Sequence, residues 1–304
     1  MILLLGPIAD PVLANVASRI AARNGEMMIV DPESGNDLSW STSRGQVSGR
    51  MLVGGRTIDA LEIEAVYMRS FGRSSTTDEE RRGRVTALWE WTEGLPVLVV
   101  NRRRAVHTNM SKPYQQRLIA QHGFSVPKTL VTMVPEAARA FYDECRERVI
   151  YKSVSAERSI VKRLTADDMP KLEQVRYCPL QLQELVPGID IRVHTVGERV
   201  FASEIVADGL DYRYVGREGG SRTIRAVELP TDVQSRCLKL AAGLDLALSG
   251  IDLRRTPDGE YYCFEVNTSP AFVFYENHTG QRIGDALADL LCAGRAYSST
   301  VVSH

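Results

Sequence analysis

A chain of 304 residues is long enough for two or three packed units, each with its own core. Hydrophobic residues at 44% and charged residues at 25% are ordinary for a globular protein, and a net charge of -1 leaves no bulk basic field for nucleic acid or an anionic membrane. The five cysteines are scattered, odd in number and never spaced as CxxC, so they suggest neither a zinc site nor a disulfide framework and read as reduced, mostly buried thiols.

Residues 2–5 are an apolar run ending at Gly6-Pro7. That run is too short for a signal peptide or a membrane span; it suits a buried strand and predicts a cytoplasmic protein. Residues 11–23 have helical periodicity, and residues 27–30 give a second strand stopped at Asp31-Pro32. This strand–helix–strand order predicts a parallel sheet covered by helices. Residues 34–55 are polar and glycine-rich and read as a loop or a small hairpin. A strand at 65–68, a helix at 77–93 and a strand at 95–100 complete this first unit. No GxGxxG turn follows the first strand, which argues against a dinucleotide site there. The basic run Arg102-Arg103-Arg104 reads as a solvated loop after a strand.

Ser111 reads as the N-cap of a helix reaching residue 122, which Gly123 stops. A strand at 129–131, a helix at 135–146 with proline in its first turn, and strands at 149–152, 159–163 and 180–186 follow. Pro187-Gly188 closes the last of these. Residues 191–196 and 200–206 form a hairpin around Gly197-Glu198. The charged, glycine-containing stretch 208–225 reads as mobile, and 230–246 as a helix. A second hairpin pairs 249–254 with 260–267 around Pro257-Asp258-Gly259, whose turn chemistry is favourable. A last helix covers 283–291, and the polar tail from residue 294 is expected to fray.

The second hairpin carries the chemistry. Glu265 and Asn267 are two residues apart on one strand, so both side chains leave the same face, while Phe264 and Val266 point into a core. With the turn centred between Pro257 and Asp258, Asp252 lies opposite Cys263 and diagonal to Glu265, roughly 7–8 Å away by backbone. Two carboxylates and an amide oxygen are hard ligands that suit Mg²⁺. The plain alternative is a half-solvated polar sheet face. Thr268-Ser269-Pro270, directly after, is a turn that can aim hydroxyl and N–H groups at an anion.

These residues carry a resemblance. Gly250-Ile-Asp-Leu followed by Phe264-Glu-Val-Asn-Thr-Ser-Pro resembles the C-terminal signature of ATP-grasp ligases, in particular the RimK-type glutamate ligases. The stretch Gln183-Glu-Leu-Val-Pro-Gly-Ile-Asp-Ile-Arg192 is similar to that family's hinge-and-ribose segment. The likeness runs in consistent order over residues 105–291. Tyr67-Met-Arg69 and Cys178-Pro179 also resemble the microviridin-type graspetide synthetases, which cross-link ribosomal peptides.

The resemblance implies an α/β (α+β) fold: an N-terminal parallel-sheet pre-ATP-grasp domain at 1–104, then a two-lobed ATP-grasp domain. Its central lobe would span 105–187, and its C-terminal lobe, with the Mg site, 188–304. It implies ATP and Mg²⁺, as two ions replaceable by Mn²⁺, with Asp252, Glu265 and Asn267 as metal ligands. Lys112 and Lys152 would contact the phosphates, Glu184 and Val186 would meet adenine through their backbone, and Asp190 would accept from the ribose. Apart from the resemblance, the two lysines read as surface residues at a helix start and a strand end, and Asp190 as a turn residue. Arg213 matches the arginine near the transferred phosphate, and Arg192 could hold a carboxylate bidentately or form an ion pair. Ser269 and Arg69 are the further substrate candidates. After Lys152 the family has a glycine-rich loop; here Ser153-Val-Ser-Ala-Glu-Arg-Ser159 has no glycine, so Ser155, Arg158 or Ser159 would have to act through side chains. Of the histidines near the site, His194 reads as structural, whereas His278 could face an acceptor.

The implied reaction joins a carboxylate to an amine through an acyl phosphate, giving ADP and phosphate, on an amino acid or peptide. A graspetide-type macrocyclase making ester or amide cross-links and a non-catalytic nucleotide-binding module are the alternatives. The expected partners are small or peptide substrates, with neither nucleic acid nor membrane, and a homodimer is compatible with the likeness.

Overall fold

The structure is a computed structural model and describes residues 1–31, 37–44, 46–69, 79–153, 161–207 and 222–294. Strand β1 (Ile2–Leu5) is buried along its whole length and is followed by helix α1 (Pro11–Ala21). Asp10 caps that helix, its Oδ1 accepting from the N–H groups of Val12 and Leu13, with proline at the first position where no amide donor is needed. Strand β2 (Met27–Val30) then pairs parallel to β1.

The segment read as a loop or small hairpin instead folds as β3 (Asp37–Ser43), β4 (Gln46–Val53) and β5 (Arg56–Asp59), a three-stranded antiparallel sheet. It buries only Met51 and Ile58 fully, against Trp91 and Leu95, so its apolar signal was thin. Strand β6 (Ala65–Met68), helix α2 (Glu79–Gly94) and strand β7 (Leu98–Val100) complete a parallel sheet of order β2-β1-β6-β7. The basic run enters the short helix α3 (Arg103–Val106) and is structural. Arg102 donates to the carbonyls of Thr92, Glu93, Leu95 and Val97, which closes the end of α2.

Helix α4 (Lys112–Gln121) starts after Ser111, which has cap geometry but makes no side-chain cap bond. A four-stranded antiparallel sheet follows, of order β10-β9-β11-β8, from β8 (Thr129–Thr132), β9 (Val149–Ser153), β10 (Lys162–Arg163) and β11 (Leu180–Glu184). Helix α5 (Pro135–Glu144) and a 3₁₀ segment, Ala166–Arg176, cover it with Phe141, Leu172 and Val175.

The last sheet, of order β14-β13-β12-β15-β16, holds the candidate site. Its strands are β12 (Ile189–Val196), β13 (Arg199–Ala207), β14 (Arg222–Val227), β15 (Leu248–Arg255) and β16 (Tyr261–Asn267). Helix α6 (Thr231–Gly243) packs on one face through Val233, Cys237 and Leu240. Helices α7 (Val273–Thr279) and α8 (Ile283–Ala293) follow β16. Cys145, Cys237 and Cys263 are buried thiols, whereas Cys178 and Cys292 are exposed. No helix among the described residues is long and apolar enough to cross a membrane.

The first and last sheets share one core. Leu13, Val16 and Ile20 of α1 pack with Ile283, Leu287 and Leu291 of α8. Along the rim of this contact Arg19 and Arg23 both pair with Asp285, at 2.7 and 3.0 Å, and Arg282 adds a third cation at 3.1 Å. The Arg282 hydrogen bond first, then Arg23 and Arg19, hold the Asp285 carboxyl at about 2, below its ordinary 3.8. A carboxylate lowered on folding stabilises the fold above its unfolded value and loses that contribution as pH falls through its folded value. Asp285→Asn should therefore cost on the order of 1 kcal/mol at neutral pH after solvent screening. Its deficit against the native chain should shrink between about pH 4 and pH 2. Urea unfolding of both proteins at pH 7 and at pH 3 measures this, and an equal deficit at both values would refute it.

Candidate active site

Alternation puts Asp190, Arg192 and His194 of β12 on one face, with Gly250, Asp252 and Arg254 of β15 opposite them in the order Arg254, Asp252, Gly250. The register at β16 differs from the expected one. Asp252 pairs directly with Glu265, and Leu253 with Cys263, because Phe264 is the extra residue of a β-bulge. Glu265 is thus straight across from Asp252 rather than diagonal to it. Phe264, expected in the core, is only half-buried and lies under the Arg254 guanidinium, 5.2 Å from ring centre to Cζ.

One transverse row of the sheet therefore reads Ser203, Arg192, Asp252, Glu265. Arg192, 8% exposed, donates from Nη1 to Asp252 Oδ1 at 2.5 Å. Asn267, in the next row, donates from Nδ2 to Asp252 Oδ2 at 3.0 Å and to the Gly250 carbonyl at 3.3 Å. Its amide oxygen takes no part in those bonds. The Glu265 carboxylate has no ion-pair partner among the described residues.

The turn after β16 is held from the first sheet. Arg69, 9% exposed at the end of β6, pairs with Asp10 at 3.1 Å and donates to the Ser269 hydroxyl at 3.0 Å and the Ser269 and Pro270 carbonyls at 3.3 Å. The two further substrate candidates thus touch each other. From α4, the buried Gln115 side chain donates to the Val266 carbonyl at 2.8 Å and accepts from its N–H at 2.9 Å. An amide side chain so completes the open edge of β16, which would otherwise expose unpaired backbone groups.

At the other end of the face, Arg254 donates to Asp190 Oδ1 at 2.7 Å and to the Val186 carbonyl at 2.9 Å. Val186 is buried, and the Glu184 N–H bonds the Lys128 carbonyl across to the segment before β8. The four-stranded and five-stranded sheets thus follow one another through Glu184 to Asp190, where Arg254 binds both the Val186 carbonyl and Asp190.

A RimK-like ATP-grasp domain matches residues 110–291, which include the polar face and the turn that follows it. The chain belongs to the RimK-like ATP-grasp family. It is 25% identical over 191 residues to the alpha-aminoadipate–LysW ligase LysX of Sulfurisphaera tokodaii, covering 59% of this chain and 66% of LysX. It is 34% identical over 116 residues to the D-alanine–D-alanine ligase of Cereibacter sphaeroides, covering 34% of this chain and 35% of that ligase. Among solved structures, the ATP-grasp ligase PsnB, complexed with a phosphomimetic variant of its minimal precursor, Mg and ADP, superposes with a TM-score of 0.81. The two are 27% identical, over 97% of this chain and 98% of PsnB. The macrocyclase MdnC of Microcystis aeruginosa, bound to its precursor peptide, shares the fold at 22% identity and a TM-score of 0.78, over 96% of this chain and 99% of MdnC.

Lys112 opens α4, three residues before Gln115, and so shares the helix face turned to β16. The Lys152 backbone lies in β9 opposite Gln181. The Lys152 side chain, Arg213 and the glycine-free stretch with Ser155, Arg158 and Ser159 lie outside the described residues. His194 is completely buried, and burial pushes its imidazole well below the ordinary value, so the ring is neutral. His278 lies on α7, its Nδ1 2.8 Å from the Phe274 carbonyl.

The donors present fit Mg²⁺, which takes hard oxygen ligands. Two carboxylates directly opposite one another on a sheet destabilise it unless positive charge lies between them. Arg192 supplies one such charge to Asp252 and leaves Glu265 without a partner among the described residues. Arg254 and Gln115 were missed in the sequence, and Phe264 was read there as a core residue. Arg254 alone had a signal there, standing two residues beyond Asp252 on the same strand.

Proposed function

We propose that this chain is an ATP-dependent ligase that activates a carboxylate as an acyl phosphate and joins it to an amine or hydroxyl of a peptide. The observation that carries the reading is the bulge-set pair Asp252–Glu265, with Asn267 beside it and Arg192 behind, in a chain of the ATP-grasp family. A peptide substrate is favoured over a free amino acid by the likeness to precursor-bound PsnB, which extends over nearly the whole chain. The macrocyclase form of the reaction, with ester or amide links inside one peptide, stands as the second reading on the resemblance of Tyr67-Met-Arg69 and Cys178-Pro179 to graspetide synthetases. The division at residues 104 and 187 belongs to this proposal too.

In the first step a substrate carboxylate oxygen attacks the γ-phosphorus of ATP, and the bond to the β-phosphate oxygen breaks, releasing ADP. In the second, the nucleophile attacks the acyl carbon, loses its proton, and phosphate leaves. There is little covalent work for the protein; positioning and charge neutralisation are its tasks. Asp252, Glu265 and Asn267 would hold Mg²⁺, one ion or two, with Mn²⁺ able to substitute, and the metal would supply charge neutralisation at the phosphates. Arg192 holds positive charge beside Asp252 and is assigned to orient an incoming carboxylate. Lys112, Lys152 and Arg213 are assigned to the phosphates, Glu184 and Val186 to adenine, and Asp190 to the ribose. Ser269, steadied by Arg69, is assigned to the substrate.

The purified chain should consume ATP in the presence of a pooled peptide library, forming ADP and phosphate, with products that have lost one water per link by mass spectrometry. AMP and pyrophosphate would exclude the acyl-phosphate route. Nucleotide binding with no turnover across acid and amine screens would leave a binding module instead.

A further inference from the structure

The motif Gly250-Ile-Asp-Leu begins with a glycine that the chemistry above does not use. We propose that Gly250 and Tyr275 are positioning residues: together they form a slot that holds the Arg192 guanidinium against Asp252. The slot rests on geometry alone; its catalytic consequence rests on the ligase reading.

Gly250 stands in the middle of the site face, opposite His194 on β12 and Asn267 on β16. A side chain there would rise where the guanidinium now lies. A β-carbon at position 250 would fall 2.7 Å from Arg192 Nη2, 2.9 Å from its Cζ and 2.8 Å from Pro270 Cβ, all closer than real β-carbons approach. The Tyr275 ring supplies an aromatic wall, its centre 5.6 Å from Arg192 Cζ. That ring is itself confined: it is 6% exposed and packs edge-to-face with His194 at 5.0 Å and with Phe274 at 5.3 Å. Helix α7 is anchored one residue later, where the Glu276 carboxylate accepts the Gly284 N–H at 2.7 Å and pairs with Arg19 at 3.0 Å.

Glycine, proline, an aromatic ring and Asp252 thus surround an otherwise flexible head group. An arginine side chain has several rotors to lose on binding, and a slot removes that freedom before substrate arrives. Alanine at position 250 meets no backbone strain, because Gly250 is not one of the residues with positive φ. The clash must therefore be relieved by whichever neighbour can move. Pro270 is a buried ring in a turn pinned by Arg69, whereas the guanidinium ends a flexible chain. Arg192 yields, and the fold holds.

The direct test is a nitrogen-detected arginine spectrum of the native chain, with Arg192 assigned from Arg192→Lys. Hindered rotation should give Arg192 resolved Nη signals, which average in Gly250→Ala and in Tyr275→Leu but persist in Tyr275→Phe. Averaged signals in the native chain, or resolved ones in Gly250→Ala and Tyr275→Leu, overturn the slot whether or not the protein is a ligase. For turnover, Gly250→Ala should lower kcat by about a hundredfold, the cost of misplacing a group by an ångström, with KM for ATP little changed. Tyr275→Leu should lower kcat by about tenfold and Tyr275→Phe should restore it, since the Arg192 guanidinium stands over the ring face. Equal losses in the leucine and phenylalanine variants would overturn the role of the ring. Native turnover in Arg192→Lys, with the spectra as expected, would leave the slot standing and remove Arg192 from the proposed chemistry.

Discussion

Glu265→Ala is expected to lower ATP-dependent turnover by about a thousandfold or more, as loss of a metal-held phosphate site would. The same change should leave thermal stability equal to or slightly above that of the native chain. Both expectations follow from one geometry. Glu265 faces Asp252 directly across the β15–β16 ladder, is half-buried, and has no ion-pair partner among the described residues. Like charges set opposite one another weaken a sheet, so removing one relieves the fold even as it removes a ligand. Arg192 would still satisfy Asp252. Turnover assays with added Mg²⁺, beside a thermal melt, check the two halves. Native rates would show that the carboxylate pair is not the reaction centre. A large fall in Tm would show that the pair is structural.

That pairing marks the limit of what spacing can reveal. Alternation along β16 correctly put Glu265 and Asn267 on one face, because a period of two is a local property. The partner of Asp252 depended on whether a residue was bulged out, and nothing local to Phe264 announces a bulge. The buried β1 was legible as an unbroken apolar run and α1 as an apolar helical period, each matching its burial. The β3–β5 sheet was not, since its strands are mostly exposed and their apolar residues sparse. Helix α7 spans seven residues straight after a proline turn, too short for a period to be recognised, yet it carries Tyr275 and Glu276. Gln115 and Asn101 look like surface polar residues in the chain; both are buried only because distant strands bring carbonyls to them.

Asn101 gives the largest expected effect on stability. It ends the first sheet just after β7, is 3% exposed, and donates from Nδ2 to the carbonyls of Leu248 at 2.6 Å and Thr268 at 2.7 Å. Its Oδ1 accepts the Leu248 N–H at 3.2 Å. One side chain thus satisfies three buried backbone groups, at the start of β15 and just past the end of β16. Truncation to alanine leaves all three without a partner, and at about 1–3 kcal/mol each, with some relief from entering water, a loss of about 3–5 kcal/mol is expected. Urea unfolding measures that loss, and amide exchange in β15 and β16 should quicken alongside it. Asn101→Asp discriminates hydrogen bonding from mere cavity formation. An aspartate keeps the acceptor for Leu248 N–H but turns a charged oxygen toward two carbonyls, so at neutral pH it should be at least as unstable as the alanine variant. That environment raises its carboxyl above the ordinary value; on acidification the protonated acid can donate to one carbonyl, and the deficit against the native chain should narrow. An aspartate variant whose deficit is the same at pH 7 and pH 5 would mean that packing, rather than the three hydrogen bonds, holds the carboxylate hairpin to the first sheet.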